Sequence, residues 1–279
     1  MISIKVGEVM KKDPIHVEIP GERGKVLELM QKYRLSAIPV TKKRKLVGII
    51  TISDLAENPE EEQLALLVRR GPVSLSPADE IKKAAEVFLK ERIRIIPVVE
   101  KDELIGVISV DDVVKKAISR MNIADPVEKY MLDKFATVWE GTPISATLAI
   151  SRYSGQRVLP VINSRGEIVG IVDDNDMLSL GEVIEETKVS SLTAPSEGER
   201  WAWDTGDLLY ITTRKLELPE DKPVSEIMTR NVISVTRKTK VSEVARKMRR
   251  YDIETLPVVE ASGELTGIIR DIDLLKSLL

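Results

Sequence analysis

The sequence predicts an α+β fold made of four βαββα repeats. Two observations support this prediction. One sequence motif recurs along the chain: an apolar strand, a charged turn, a second apolar strand and an acidic helix start. A pattern typical of an amphipathic helix precedes each copy of the motif. The copies read SAIPVTKKRKLVGIITISDL at residues 36–55, IIPVVEKDELIGVISVDDV from Ile95, VLPVINSRGEIVGIVDDNDML from Val158 and TLPVVEASGELTGIIRDIDLL from Thr255.

Each repeat opens with a strand and continues into a helix. In the first repeat Ile15, Val17 and Ile19 alternate as strand residues do. A helical stripe with apolar residues at i, i+3, i+4 and i+7 follows. The stripes are Val26, Leu29, Met30 and Tyr33 in repeat 1, Ile81, Ala84, Ala85 and Phe88 in repeat 2, and Val241, Val244, Ala245 and Met248 in repeat 4. Repeat 3 has a less regular stripe. Ser76-Pro77 and Thr142-Pro143 are predicted as N-cap and first helical residue of two of these helices.

The recurring phrase is predicted to form an antiparallel hairpin, because two short strands flank a charged turn. The first strand of each repeat should then lie parallel to a hairpin strand, through a right-handed crossover. Three anchors keep register in all copies: Pro39, Pro97, Pro160 and Pro257; Gly48, Gly106, Gly170 and Gly267; Asp54, Asp112, Asp176 and Asp273. Two short helices cover only one face of a three-stranded sheet, so the repeats are expected to pair.

Composition narrows the function classes. The 279 residues are 43% apolar and 31% charged, a balance typical of soluble globular proteins. The chain has no Cys, which excludes disulfides, thiolate zinc sites and Cys nucleophiles and fits a cytoplasmic protein. Apolar runs are short, so no contact with a membrane is expected. The net charge of -3 argues against a dedicated nucleic-acid coat protein.

The spacing of the anchors predicts domain boundaries. Repeats 1, 2 and 3 should occupy residues 1–60, 61–122 and 123–181, and repeat 4 residues 223–279. Residues 182–222 form an insertion, predicted as a loop plus an extra strand or hairpin around the alternating run that starts at Leu208. This arm would cover a sheet edge or the other domain; the alternative is a ligand lid or a partner-docking surface. The sequence does not assign a role to Trp201 and Trp203 within it.

Four copies of hhPVh followed by GhhxhxD resemble the CBS domain family, and specifically a protein of two tandem CBS pairs. Segments of the form V-x-x-h-M at residues 6–10, 127–131 and 224–228 are similar to the opening helix of that family. The resemblance implies that repeats 1 and 2, and repeats 3 and 4, form two pseudo-twofold modules that pack into a disc. It also implies clefts between paired repeats that hold adenosine-containing ligands.

The resemblance also implies site residues. In the family, a Thr or Ser three residues after the Gly and the Asp six residues after it hold the phosphate and ribose of a nucleotide. Here the full pair occurs as Thr51 with Asp54 and as Ser109 with Asp112. A hydroxyl can donate to phosphate and a carboxylate can accept from ribose hydroxyls. The alternative is that each Asp simply caps its helix.

The other two repeats depart from this pattern. Repeat 3 has Asp173 in place of the hydroxyl, which would repel a phosphate unless a cation intervened. Repeat 4 has Arg270 in place of the hydroxyl, three residues before Asp273. The guanidinium group of Arg270 could bind a phosphate through two parallel hydrogen bonds. Arg94 and Arg157 stand three residues before their Pro and are further candidates for phosphate binding, with a surface position as the alternative.

Catalytic chemistry finds little support. His16 is the only His, and no neighbouring residues form a nucleophile motif. Motifs for phosphate loops, dinucleotide binding and zinc hydrolysis are absent from the sequence. The acidic run DDND at residues 173–176 lacks the Gly and distal Glu of a calcium loop. We therefore predict no catalytic residues, no metal site and no catalytic cofactor.

The sequence thus predicts a regulatory protein that binds AMP, ADP, ATP or S-adenosylmethionine and alters contacts with a protein partner that the sequence does not identify. The alternative is a nucleic-acid-associated protein that uses a basic face on repeat 4, formed by Arg246, Lys247, Arg249 and Arg250. The identity of the ligand, the occupied sites, and the choice between a monomeric disc and a homodimer stay open.

Overall fold

The computed structural model describes residues 4–33, 35–178, 182–191, 208–217 and 222–279. These form two compact units. The first comprises residues 1–133, 233–262 and 266–279, and holds repeats 1 and 2 with most of repeat 4. The second comprises residues 134–232 and 263–265, and holds most of repeat 3 with the segments that flank it. No helix within the described ranges is long and apolar enough to cross a membrane.

The elements follow the predicted order. Repeat 1 contains α1 (Val6–Val9), β1 (Lys11–Lys12), β2 (Val17–Glu18), α2 (Arg23–Tyr33), β3 (Ala37–Lys42), β4 (Lys45–Thr51) and α3 (Ile52–Glu57). Repeat 2 contains α4 (Leu64–Leu67), β5 (Arg69–Arg70), α5 (Ile81–Glu91), β6 (Ile95–Glu100), β7 (Glu103–Ser109) and α6 (Val110–Asp112), with π-helical and 3-10 turns at Val113–Ala117 and Ile118–Arg120.

The second half of the chain repeats this order. Repeat 3 contains a 3-10 turn (Val127–Lys129), β8 (Val138–Trp139), α7 (Ile144–Ser154), β9 (Val158–Ile162), β10 (Ile168–Asp173) and α8 (Asp174–Leu178). The insertion contributes β11 (Glu182–Ser191) and β12 (Leu208–Glu217). Repeat 4 contains a 3-10 turn (Val224–Glu226), α9 (Val241–Tyr251), β13 (Thr255–Val259), β14 (Leu265–Arg270), α10 (Asp271–Leu274) and a 3-10 turn (Leu275–Leu278).

The predicted strand pairing is confirmed. In three hairpins the strand that contains the anchor Pro (the Pro strand) is antiparallel to the strand that contains the anchor Gly (the Gly strand). The pairs are β3 with β4, β6 with β7, and β9 with β10. The first strand lies parallel to the Pro strand, as in the register of Val17 with Val40. It is shorter than the alternation of Ile15, Val17 and Ile19 predicts, because β2 pairs over only two residues. In repeat 2 the first strand is a single parallel bridge from Leu75 to Val98.

Each repeat also has a lead-in segment that packs on its partner repeat rather than on its own. The lead-in segments are residues 4–12, 62–70, 125–133 and 222–230. Val6 N donates to Asp79 O of repeat 2 at 2.9 Å, and Leu64 N donates to Gly21 O of repeat 1 at 3.1 Å. The lead-in of repeat 3 bonds to repeat 4, and that of repeat 4 bonds to repeat 3 through Val224 N. This exchange pairs the repeats as predicted.

The four anchor glycines allow this exchange. A Cβ on Gly48 would lie 2.4 Å from the Arg69 carbonyl oxygen, and one on Gly106 would lie 2.9 Å from that of Lys11. The corresponding distances are 2.9 Å from Leu132 O for Gly267 and 2.5 Å from Met228 Sδ for Gly170. The lead-in backbone or side chain therefore occupies the space that any larger residue would need.

The exchange also explains two wrong helix starts. Ser76-Pro77 was predicted to open the helix of repeat 2, but α5 begins at Ile81. Ser76 instead forms a turn whose carbonyl accepts from Asp79 N at 3.0 Å, and Ile81 N donates to Ile4 O at 3.0 Å. The carbonyl of Ile4, in the lead-in segment of repeat 1, thus accepts a hydrogen bond from the first N–H group of α5. In many helices a capping residue just before the helix supplies this acceptor. In repeat 3 the N-cap is Pro143, one residue later than predicted.

Repeats 2 and 4 share one hydrophobic core, whereas repeats 1 and 3 each have a core of their own. The stripe residues Ala85 and Ala245 are fully buried in the shared core, and so is Val110 at the start of α6. Counted from the anchor Pro rather than along the predicted stripe, the equivalent positions in repeat 1 are Leu27, which is 37% exposed, and Ile52, which is 55% exposed. The helix α9 packs against the helical turns that follow α6.

The insertion forms the predicted hairpin. Strands β11 and β12 are antiparallel over their whole length, with Glu182 opposite Glu217 and Ser191 opposite Leu208. They pair with no other strand in the described part of the chain. Trp201 and Trp203 lie outside the described residues.

We expect Gly48→Ala to lower the free energy of unfolding by about 2 kcal/mol, because the new methyl group would overlap the backbone of the lead-in segment. Gly24→Ala in α2 is the matched control. Nothing lies within 4 Å of a Cβ at Gly24, so helix propensity alone should raise stability by about 0.5–1 kcal/mol. Urea unfolding followed by circular dichroism measures both. Equal stability of Gly48→Ala and the parent protein would contradict the close-approach account.

Candidate functional site

The strand-end site of repeat 1 lies where β4 meets α3. Thr51 caps α3, and its Oγ1 accepts a hydrogen bond from Asp54 N at 3.3 Å. In return Thr51 N and Thr51 Oγ1 donate to Asp54 Oδ2 at 2.8 and 2.6 Å. This is a reciprocal capping box with Asp in the place of Glu. The two predicted site residues are therefore in direct contact.

The second carboxylate oxygen of Asp54 binds Arg69, whose Nε donates to Oδ1. Arg69 comes from β5 of the exchanged lead-in, so the site is built from both repeats of the module. Asp54 is only 5% exposed. Burial raises the pKa of Asp54, but the hydrogen bonds from Thr51 and Arg69 and the charge of Arg69 outweigh burial and hold this pKa below its ordinary value.

The strand-end site of repeat 2 has the same geometry. Ser109 N and Oγ donate to Asp112 Oδ2 at 3.0 and 2.7 Å, and Asp112 N donates to Ser109 Oγ at 3.1 Å. The other carboxylate oxygen faces Lys116 Nζ at 2.7 Å. The predicted pair of repeat 2 is thus also brought together, with a lysine from its own helical turn as the cation.

The strand-end site of repeat 3 joins two carboxylates. Asp173 N donates to Asp176 Oδ2 at 3.1 Å, and Asp176 N donates to Asp173 Oδ1 at 2.8 Å. Burial raises the pKa of Asp176, and the negative charge of Asp173 raises it further. This site preserves the capping geometry but concentrates negative charge.

The strand-end site of repeat 4 is closed by ion pairs. Arg270 Nε and Nη2 donate to the two oxygens of Asp273 at 2.7 and 3.2 Å. Lys276 Nζ lies 2.9 Å from Asp273 Oδ1. The guanidinium that the sequence offers for phosphate binding is therefore engaged with its neighbouring carboxylate.

The two remaining candidates lie apart from these pairs. Arg94 Nη2 binds Asp271 at 2.6 Å and Glu254 at 3.0 Å, which ties repeat 2 to repeat 4. Burial lowers the pKa of Arg94, but the hydrogen bond to Asp271 and the negative charges of Asp271, Glu254 and Asp111 raise this pKa overall. Arg157 is exposed, and its side chain makes no ion pair with the described residues.

The structure adds cations that sequence reasoning missed. Arg69 and Lys116 complete the carboxylate sites of repeats 1 and 2. Lys116 stands four residues after Asp112, a spacing that favours ion pairs on a helix. Arg69 could be found only by recognising that the basic pair before Gly71-Pro72 crosses to the partner repeat.

A shallow cavity of about 190 Å³ lies between repeats 1 and 2, and none of the eight predicted site residues is among the described residues that line it. Its lining is Asp13, Pro14, His16, Thr41, Arg44 and Leu104. His16 Nδ1 is 2.9 Å from Pro14 O, so a backbone contact orients the single histidine.

The basic face of α9 is exposed. Arg246, Arg249 and Arg250 lie on the solvent side, and none of them forms an ion pair with the described residues. Lys247 Nζ instead donates to Ser234 O at 2.9 Å. The Arg250 guanidinium sits 5.4 Å from the centre of the Tyr251 ring. This face therefore carries uncompensated positive charge.

Replacing Asp54 and Asp176 by Asn should change stability in opposite directions near pH 7. Asp54→Asn should lower the free energy of unfolding by about 1 kcal/mol, because Arg69 loses its charged acceptor. Asp176→Asn should raise it by a similar amount, because one of two adjacent negative charges disappears.

The pH dependence distinguishes the two effects. The pKa of Asp54 is lowered in the fold, so its contribution is complete above the unfolded pKa and is lost only as pH falls through the folded pKa. The loss of unfolding free energy caused by Asp54→Asn should therefore stay constant from about pH 7 to about pH 4.5. The pKa of Asp176 is raised, so its penalty fades as pH falls through the folded pKa and the gain of Asp176→Asn should shrink. Urea unfolding at both pH values measures this, and effects of one sign for both variants would contradict it.

Comparison with known proteins agrees with this architecture. A family model described as CBS domain matches residues 6–61, 64–119, 127–182 and 224–279. Protein MJ1225 from Methanocaldococcus jannaschii is 26% identical over 278 residues, which cover 90% of each chain. Its crystal structure superposes with a TM-score of 0.66 at 22% identity over 99% of this chain and 100% of that one. The crystal structure of a conserved protein from Pyrococcus horikoshii superposes with a TM-score of 0.71 at 31% identity, over 99% of this chain and 100% of that one. The chain belongs to the CBS domain family, with four CBS domains arranged as two tandem pairs.

Proposed function

We propose that this protein is a regulatory sensor of an adenosine-containing ligand, bound by the module formed from repeats 1 and 2. The observation that carries the proposal is the pair of matching contacts, Thr51 with Asp54 and Ser109 with Asp112. Each pair presents a hydroxyl and a carboxylate at a strand end, beside a lead-in segment from the other repeat. Membership of the CBS domain family supports an adenosyl ligand, either an adenine nucleotide or S-adenosylmethionine.

The chemistry of each pair suits such a ligand. A carboxylate can accept hydrogen bonds from the two ribose hydroxyls, and a threonine or serine hydroxyl can donate to a phosphate oxygen. In the present structure both groups bond to each other and to the helix backbone, so a ligand would exchange some of these contacts. Capping and ligand binding are therefore compatible roles for Asp54 and Asp112.

The other two strand-end sites suit a phosphate less well. Asp173 and Asp176 would place two carboxylates beside it. Arg270 would first have to leave Asp273, to which it is bound through two hydrogen bonds. Arg94 would likewise have to leave Asp271. We therefore propose the N-terminal module as the main binding region, with Arg94, Arg157, Arg270 and Asp273 as secondary candidates.

Regulation would follow from the shared construction of the sites. Asp54 belongs to repeat 1, whereas its partner Arg69 lies on the lead-in segment of repeat 2. A ligand that contacts both would favour one relative position of the two repeats. Such a ligand shifts the equilibrium only by its difference in affinity for the two arrangements. A protein partner that contacts the module would then respond to ligand occupancy.

Calorimetric titration of the full chain with AMP, ADP, ATP and S-adenosylmethionine tests this proposal. We expect at least one of these ligands to bind. Thr51→Val and Ser109→Ala should each weaken binding at their own site by about tenfold, because each removes one hydrogen bond to the ligand. Ser53→Ala is the matched control, since Ser53 is an exposed residue of α3 whose hydroxyl makes no hydrogen bond to the described residues. Absence of binding for all four ligands would contradict the proposal.

The basic face of α9 supports a second candidate function, binding of a nucleic-acid backbone. The triple variant Arg246→Ala, Arg249→Ala, Arg250→Ala should abolish binding to a short RNA duplex and remove its steep dependence on salt, as fluorescence anisotropy would show. A control with the same charge change is Lys82→Ala, Lys83→Ala, Lys90→Ala on α5, and it should bind as the parent protein does. Unchanged binding by the arginine variant would exclude this surface.

A further inference from the structure

The core of repeat 3 is less apolar than the cores of the other repeats. Thr147 and Ser151 of α7 are both buried. Counted from the anchor Pro, the other repeats bury apolar side chains at the same two positions: Val26 and Met30 in repeat 1, Ala84 and Phe88 in repeat 2, and Val244 and Met248 in repeat 4. Helix α7 therefore places two hydroxyl groups where the other three helices place apolar side chains.

Hydrogen bonds replace the missing apolar contacts of repeat 3. Thr147 Oγ1 donates to Pro143 O at 3.0 Å. The Ser151 hydroxyl lies 2.7 Å from Gln156 O and also contacts a carboxylate oxygen of Asp174. Buried hydrogen bonds satisfy their own polar groups but add little net stability, whereas burial of one large apolar side chain favours the folded state by about tenfold to a hundredfold. The core of repeat 3 should thus hold its elements together more weakly than the other cores do.

The exchange of lead-in segments makes the first compact unit complete in itself. The lead-in segment of repeat 3, residues 125–133, belongs to this first unit, where Leu132 N donates to Ile268 O at 2.8 Å and covers the Gly strand of repeat 4. Repeat 4 also shares its hydrophobic core with repeat 2. These contacts all lie within the first unit, so repeat 4 does not need residues 134–232 to cover its sheet or fill its core.

The second unit has the complementary construction. It contains the lead-in segment of repeat 4, which covers the Gly strand β10 of repeat 3. Thr229 N donates to Ile171 O at 2.8 Å, and Ile171 N donates to Thr229 O at 3.0 Å. Val224 of the same segment is fully buried in the core of repeat 3. Repeat 3 and this segment therefore share one set of contacts, which should form and break together.

We propose that residues 134–178 and 222–232 open as one cooperative unit while the first unit stays folded. Opening would dismantle the strand-end site of repeat 3, because Asp173 and Asp176 are positioned only by the helix start that they cap. The strand-end sites of repeats 1, 2 and 4 belong to the first unit and would stay intact. The second unit is thus an order-to-disorder switch that acts on one of the four sites.

Hydrogen exchange of the full chain, followed by mass spectrometry, compares the two units directly. Helices α7 and α9 both contain 11 residues, so their backbone amides form a matched pair. Conditions are chosen under which the exchange rate reports the free energy of opening. We expect the amides of α7 to be at least about 100-fold less protected than those of α9, because opening of the second unit requires less free energy than global unfolding. Equal protection of the two helices would overturn the proposal.

A matched pair of core variants tests whether the first unit stays folded during this opening. Val161→Ala and Val258→Ala truncate equivalent, fully buried side chains that follow the anchor Pro of repeats 3 and 4. Val258→Ala should speed exchange in α9 by about tenfold and leave α7 unchanged, because the first unit keeps its structure when α7 opens. Val161→Ala should speed exchange in α7 by a similar factor. A Val258→Ala protein in which both helices exchange faster by the same factor would show one cooperative fold and contradict the proposal.

Discussion

The close approach of each lead-in segment to the Gly strand of the partner repeat is the constraint on which the rest of the structure depends. Gly48 and Gly106 lie so near the carbonyl oxygens of Arg69 and Lys11 that no side chain fits between them. The Leu132 carbonyl oxygen approaches Gly267 in the same way, and the Met228 side chain approaches Gly170. Because a repeat receives this segment from its partner, a single repeat would leave its sheet edge uncovered. Pairing is therefore part of the folding of each repeat.

The same exchange gives the strand-end sites their composite character. Each repeat supplies its own anchor Asp near the start of its last helix. This Asp caps the helix or forms an ion pair. The lead-in residues come from elsewhere in the chain and differ from one repeat to the next. Arg69 beside Asp54 and Leu132 beside Ile268 illustrate the range. Four sites with one backbone plan can thus carry different charges, and so suit different ligands or none.

The sequence was sufficient to predict the parts of the fold that depend on local pattern. The hairpins, the parallel first strand and the hairpin at β11 and β12 follow from periodicity and turn residues. So do the helical stripes, except at Tyr33 of repeat 1, which is 46% exposed. The contact between Thr51 and Asp54 was also predictable, since a residue three positions after a helix N-cap reaches back to it. The start of α5 was not predictable from local sequence. Its first N–H group, on Ile81, donates to Ile4 O, which belongs to the distant lead-in segment, so no capping residue beside the helix is required.

The partners of the arginines lie beyond the reach of local pattern. Arg94 was expected near a phosphate, yet it bonds to Asp271, which lies far along the chain in repeat 4. Arg69 was not considered, although it completes the most buried carboxylate of the N-terminal module. In both cases the pairing depends on which repeats pack together. Fourfold repetition indicates that repeats pair, but it does not specify which charged side chains then meet.

A crystal structure of the full chain with bound ATP or ADP would test the central claim most directly. The account predicts that the ribose lies against Asp54 and a phosphate oxygen against the Thr51 hydroxyl, with the bond between Arg69 and Asp54 broken. A nucleotide bound elsewhere, while Arg69 keeps its bond to Asp54 at saturating ligand, would contradict it.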